Sequence, residues 1–324
     1  RPRWPRCLPA APEGLPPPAN AHRRCSKTRA LSTGAMTDSI LSTFTAVDGD
    51  NLAVHDWYLS SRDGVRATII LVHDLGDYAL RHDHVAQRLH EWGFSVRGYD
   101  QHGHGRSAGV RGSLPAPSRW LDDLADMIDS VRARRGRGMP VVLLGFGAGA
   151  VLAARFAFRA LRPIDALVMV SPAFELRLGW LRRLWIDVMP GFALDWTLSS
   201  GLRPSHLSHE RAIVEAYRVD PLVHNRISGR LARFILDSGM ALAARARKWP
   251  VPTLLLYAGA DGIVNPAATR RFAAEASPGA VTSVCFDTLY HEIFNEPERQ
   301  GPYARLREWL QGRFPPLRMP PPRG

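Results

Sequence analysis

Val141-Val142-Leu143-Leu144-Gly145-Phe146-Gly147-Ala148-Gly149 is the stretch whose reading decides the fold. Four apolar residues, two of them β-branched, predict a short buried strand. A glycine-rich turn follows, and residues 150–157 then predict a helix. Strand, sharp turn and helix are the setting of a nucleophile elbow, whose pattern is G-x-S-x-G. Here the pattern is G-x-G-x-G, and Gly147 stands where the attacking hydroxyl would be.

The same alternation extends to both sides. Residues 44–47 and 52–57 flank Asp48-Gly49-Asp50 and predict a hairpin with a tight turn. A buried strand is predicted at 67–72, and further strands at 94–99, 139–145, 165–170, 252–258 and 281–286. Helices are predicted at 80–92, 120–134, 266–276 and 297–311. In the second of these, Leu121, Leu124, Met127, Ile128 and Val131 fall at helical spacing. Strands alternating with helices predict a mostly parallel, eight-stranded sheet covered on both faces.

Residues 172–248 interrupt the alternation and are expected to form an inserted helical cap over the carboxyl ends of the strands, where open α/β sheets bind ligands. Trp180, Leu181, Leu184, Trp185, Val188 and Met189 form an apolar stripe there, and a second helical stretch is predicted at 228–248. The stripe has two readings: a cap helix packed on the domain, or peripheral contact with a lipid surface.

The net charge of +12 would suggest a nucleic-acid partner if it were spread over the fold. It is not. Residues 1–35 contribute +6 and residues 313–324 add three arginines, which leaves +3 for the rest. No nucleic acid is expected. The Pro- and Arg-rich residues 1–35 have no hydrophobic period, so disorder is expected there, as it is for 313–324. The first segment reads as upstream sequence preceding a natural start at Met36, or as an Arg-rich organellar presequence. The core is then split into 36–171 and 249–312 around the 172–248 insertion. Cys7, Cys25 and Cys285 have no metal spacing, and neither a disulfide framework, a metal nor a cofactor is expected. No apolar run is long enough for a membrane span, and a cytoplasmic location is expected.

The chemistry of this architecture needs a nucleophile, an acid and a histidine in that chain order. Asp261 ends the loop after 252–258, and His291 lies on the loop after 281–286. Asp261 would hold the imidazole in one tautomer, and His291 would take the nucleophile's proton. An oxyanion hole needs the N–H of the residue after the nucleophile, Ala148, and one from the loop His73-Asp74-Leu75-Gly76-Asp77, for which Leu75 is the candidate. His102 and His104 read as parts of a tight Gly-rich turn, because two histidines without a third ligand rarely hold a metal.

Three further stretches carry a resemblance: Tyr99-Asp100-Gln101-His102-Gly103-His104-Gly105-Arg106-Ser107, Asp220-Pro221-Leu222, and Tyr290-His291-Glu292-Ile293-Phe294-Asn295-Glu296. With them, residues 44–311 resemble the monoacylglycerol lipase and lysophospholipase group of α/β-hydrolases. The resemblance implies an α/β-hydrolase fold, one acyl ester of a glycerolipid as substrate, and a Ser–Asp–His triad under a lipid-admitting cap. Asp261 and His291 match the acid and base of that group.

Two positions depart from the group. Gly147 replaces its Ser, and Asp74 replaces the Gly of its His-Gly oxyanion loop after His73. The first removes the nucleophile. Glycine relieves the strain of an elbow by roughly 1 kcal/mol, so the fold tolerates the loss. The second departure puts a Cβ and a negative charge beside a developing oxyanion, which opposes its stabilisation. Two readings of function follow. One is an inactive homologue that binds an apolar or lipid-like small molecule. The other is an active carboxylic ester hydrolase on acylglycerols or lysophospholipids, using a water or a relocated nucleophile such as Ser171.

Overall fold

The computed structural model describes residues 39–59, 64–136, 138–176 and 196–316. The tails and the Trp/Leu stripe at 180–189 lie outside the described residues. Eight strands form one sheet: β1 (Ile40–Thr45), β2 (Asn51–Trp57), β3 (Thr68–Val72), β4 (Ser95–Tyr99), β5 (Val141–Phe146), β6 (Ala166–Val170), β9 (Thr253–Ala258) and β10 (Val281–Phe286). Their spatial order is β1-β2-β4-β3-β5-β6-β9-β10. The first two strands are antiparallel to their neighbours, and the rest run parallel. The expected eight-stranded α/β-hydrolase sheet is therefore present.

The period of two along each strand divides the core into two layers. Val141 and Leu143 join the layer containing Ile70, Val72 and Trp120. Val142, Leu144 and Phe146 join the opposite layer with Ile69, Leu71 and Leu306. Helices α2 (Arg119–Arg135) and α3 (Gly147–Phe158) serve the first layer. Helices α1 (Asp83–Glu91) and α7 (Gln300–Arg313) serve the second. β5 is central and buried along its whole length. The parallel strands all point one way, so the loops after β3, β5, β6, β9 and β10 open at the same end. The register places Val72 beside Gly145 and Phe146 beside Val170.

The glycines flanking Gly147 are required by close approach rather than by turn conformation. A Cβ on Gly145 would lie 2.5 Å from the Ala150 Cα, and one on Gly149 would lie 2.2 Å from the His73 carbonyl oxygen. Helix α3 can leave β5 this tightly only because both side chains are hydrogen atoms.

Several elements differ from expectation. Helix α3 starts at Gly147, three residues before the predicted 150, because the turn residues are themselves helical. The predicted helix 80–92 is a 3-10 turn, Ala79–His82, followed by α1. Arg81 and His82 in that turn both reach the Asp77 carboxylate. The insertion is not purely helical. It carries a two-stranded ribbon of β7 (Thr197–Ser199) and β8 (Arg226–Ser228) and a helix α4 (Arg211–Val219), all missed. Three-residue strands are too short to show an alternating pattern. The helix predicted over 228–248 ends at Ala243, giving α5 (Gly229–Ala243) and a closing 3-10 turn. Helix α6 (Pro266–Glu275) precedes β10.

One ion pair lies inside the antiparallel part of the sheet. Arg97 of β4 is directly opposite Asp56 of β2. Its guanidinium donates Nε–H to Oδ1 at 2.7 Å and Nη2–H to Oδ2 at 2.9 Å, and both residues are 2% exposed. Removing only the cation would strand a buried carboxylate. Arg97→Met should therefore lower stability by about 3–5 kcal/mol, read by urea denaturation. Adding Asp56→Leu should recover most of that loss; no recovery would show that Arg97 acts through packing alone.

Candidate active site

The loops after β9 and β10 bring Asp261 and His291 together. Asp261 Oδ2 accepts from His291 Nδ1 at 2.7 Å. Its other oxygen accepts the backbone N–H groups of Ile263 and Val264 at 2.8 and 2.9 Å, which fixes the carboxylate plane. Both side chains are buried. With Nδ1 engaged, Nε2 faces the end of β5.

Nε2 meets Asp74, not a hydroxyl. Asp74 Oδ2 lies 3.0 Å from His291 Nε2. Asp74 Oδ1 accepts two backbone N–H groups, from Leu75 at 2.7 Å and from Ala148 at 2.6 Å. The two expected oxyanion donors thus converge on one point, and an internal carboxylate oxygen holds it. The N-terminus of α3 favours that negative charge.

Gly147 lies beneath this carboxylate at φ +48°. A Cβ there would fall 2.1 Å from the Asp74 Cγ and 2.1–2.2 Å from both carboxylate oxygens. A side chain at 147 and the present Asp74 rotamer are mutually exclusive. The Asp74 backbone is also held in place. His73 Nδ1–H donates to the Asp74 carbonyl at 2.7 Å, and the Gln101 N–H donates to His73 Nε2 at 2.9 Å.

Ser171, the candidate relocated nucleophile, is buried at φ +42°. Its Oγ–H donates to the His291 carbonyl at 2.9 Å, so it supports the histidine loop instead of facing the imidazole Nε2. His102 and His104 sit in the turn expected for them, where Gly103 and Gly105 take positive φ. His104 is fully buried beside His73 and His224. Among the described residues, no group of three or more His, Cys, Asp or Glu is placed to hold a metal ion.

A family model described as Serine aminopeptidase, S33 matches residues 63–298, well over half of the chain. The chain belongs to that family. In sequence it is similar to a monoacylglycerol lipase of Mycolicibacterium smegmatis, 26% identical over 82% of this chain and 95% of the relative. An abhydrolase domain-containing protein of Dictyostelium discoideum is 29% identical over 86% of this chain, which spans only 30% of that longer relative. Among solved structures, a Paleococcus ferrophilus monoacylglycerol lipase is 28% identical with a TM-score of 0.71, covering 86% of this chain and all of the other. A Saccharomyces cerevisiae monoglyceride lipase variant, 16% identical, has a TM-score of 0.79 over 87% and 98% of the two chains, a likeness of fold.

Within this S33 scaffold, a second ionic cluster adjoins the first and was missed from sequence. Asp77 receives Arg81 at 3.0 Å and His82 Nε2 at 2.7 Å. Arg81 also makes a two-bond contact with Glu292, the residue after His291. Burial opposes the charge on Asp77, but Arg81 and His82 outweigh it and hold its pKa well below the ordinary carboxylate range. The Asp77/Arg81 spacing of four residues was the available signal, though it does not reveal the long-range partner Glu292. Two motif residues have structural duties as well. Asp220 accepts the Tyr78 hydroxyl at 2.6 Å, which ties the insertion to the segment between β3 and α1. Glu296 accepts from the Tyr290 N–H at 3.1 Å and from His209 Nδ1 at 2.9 Å, bracing the loop that bears His291. Among the described residues, no helix is long and apolar enough to cross a membrane.

Burial alone would lower the His291 pKa. The Asp261 and Asp74 carboxylates more than offset this and hold it well above the ordinary 6.5. The direction of this shift favours the charged imidazole, with Nε2 donating to Asp74. Because the folded value is raised, this bridge stabilises the fold fully below the unfolded value and loses that effect as pH rises through the folded one. Asp74→Asn should lower the His291 pKa in a side-chain NMR titration, and its stability deficit relative to the parent should shrink as pH rises. An unchanged His291 titration would mean that Asp74 does not face the ring.

Proposed function

We propose that this chain is a catalytically impaired member of its family that binds an apolar, lipid-like small molecule without serine-type hydrolysis. One observation carries the reading: the Asp74 carboxylate occupies the nucleophile's space above Gly147 and both N–H groups of the oxyanion hole. An ester carbonyl entering this centre would find neither a hydroxyl nor a free oxyanion hole. The lipid-like ligand is supported by relatives named monoacylglycerol lipase and monoglyceride lipase. Apolar contact between the insertion and a lipid surface belongs to the same reading. Trp196 and Leu198, at 66% and 45% exposed, support it. The relocated-nucleophile alternative gains nothing from Ser171, whose hydroxyl is committed to the His291 carbonyl.

Gly147 and Asp74 have to be reverted together. Short-chain ester hydrolysis by the purified protein should sit near background, and a fluorophosphonate should label no serine. Gly147→Ser alone should rescue little, because the new side chain meets the carboxylate. Gly147→Ser with Asp74→Gly should exceed the single variant by about 100-fold or more, the scale of a lost oxyanion donor. Full activity in the single variant, or substantial hydrolysis by the parent that His291→Ala abolishes, would overturn the reading. Binding is checked separately with a fluorescent, non-hydrolysable monoalkyl glycerol ether.

A further inference from the structure

The Asp74 carboxylate is placed asymmetrically. Oδ1 accepts two backbone N–H groups, which use both of its in-plane lone pairs. Oδ2 accepts only His291 Nε2 among the described residues, which leaves one lone pair unused. Exposure differs too. The Asp74 side chain is 17% exposed, whereas those of His291 and Asp261 are 4% and 1% exposed. Asp74 is the open member of the three, and Gly147 presents no side chain beside it. Pinned by its own loop and by α3, the carboxylate has little freedom to turn away.

We propose that Asp74 is a carboxylate nucleophile, and that its Oδ2 attacks a saturated carbon bearing a leaving group, as in an alkyl halide. This activity goes beyond the ligand-binding reading and shares with it only the placement of Asp74. The geometry selects the electrophile. Attack on an ester carbonyl would generate an oxyanion on the substrate, yet both oxyanion donors already hold Oδ1. Displacement at a saturated carbon generates no oxyanion on the substrate, so it makes no demand on those donors. They are needed one step later, and then by Oδ1 itself.

In the first step an Oδ2–carbon bond forms as the carbon–halogen bond breaks, and the halide leaves with the bonding electron pair. Asp74 becomes a neutral alkyl ester. The imidazole then faces one carboxylate instead of two, and its extra proton passes to solvent. In the second step His291 Nε2 takes a proton from water, and the water oxygen bonds to the Asp74 Cγ. Negative charge collects on Oδ1 under the Leu75 and Ala148 N–H groups. Collapse breaks the Cγ–Oδ2 bond, and His291 returns its proton to the departing alcohol. The new Asp74 carboxylic acid then passes its proton to His291 Nε2, which restores the starting bridge of imidazolium and carboxylate. The balance is alkyl halide plus water giving alcohol, halide and one proton, with a water oxygen retained in Asp74. Activated carboxylates are established covalent nucleophiles in enzymes generally.

The test uses the unaltered protein with 1-bromohexane in oxygen-18 water. Bromide release is followed, and tandem mass spectrometry then locates the label in the peptide holding Asp74 and Asp77. The expected result is catalysed bromide release with oxygen-18 in the Asp74 carboxyl group. His291→Gln should accumulate a hexyl adduct on Asp74, because the second step lacks its base. Asp74→Asn should return bromide release to the uncatalysed rate with an unchanged circular dichroism spectrum. Bromide release no faster than in buffer, or label or adduct confined to other residues, would overturn the proposal, and the labelling arm depends on no variant's folding. The ester and ether-binding assays above report on the ligand-binding reading separately.

Discussion

The centre depends on a single carboxylate that satisfies three donors at once. Asp74 takes the N–H groups of Leu75 and Ala148 on one oxygen and the His291 imidazole on the other. Asp261 holds the far side of the same ring. A protonated imidazole between two carboxylates is electrostatically favourable even where burial penalises each charge. The loops after β3, β5, β9 and β10 are joined through this bridge. Each donor is a fixed backbone group or a fixed ring, so the carboxylate is well determined.

The same bridge makes the two unusual residues interdependent. The strained elbow position favours glycine at 147, and the space that glycine vacates is the space Asp74 fills. A serine at 147 would collide with this Asp74 rotamer, and an Asp74 turned away would leave two backbone donors and His291 without their partner. Lesions in a decaying site need not complement each other. These two fit atom against atom.

The surroundings keep the arrangement rigid. Arg81 joins Asp77 to Glu292, linking the loop after β3 to the loop that bears His291. The insertion contributes Asp220 to Tyr78 and the His224 N–H to the Gly76 carbonyl at 3.0 Å. Glu296, fully buried, closes the histidine loop on itself. The catalytic-looking core therefore sits in a frame of ion pairs and backbone contacts contributed by residues distant in sequence.

By itself the sequence determined the layered fold, because β-branched runs and helical spacing are local signals read within about ten residues. It also determined that Asp261, His291, Leu75 and Ala148 fall at one end of the sheet, since strand direction and chain order dictate that end. It singled out Asp74 and Gly147 as departures from a known pattern. Three-residue strands β7 and β8 left no readable period, and the Asp77–Arg81–Glu292 cluster depends on a partner over 200 residues away. Only the tertiary structure decided that the two departures occupy one volume. An aspartate on the oxyanion loop could face solvent or face the histidine, and the outcome depends on side-chain direction at the junction of four loops. The buried N–H groups of Leu75 and Ala148 and the imidazole Nε2 converge within reach of one carboxylate, and their unmet hydrogen-bonding demand drew Asp74 inward.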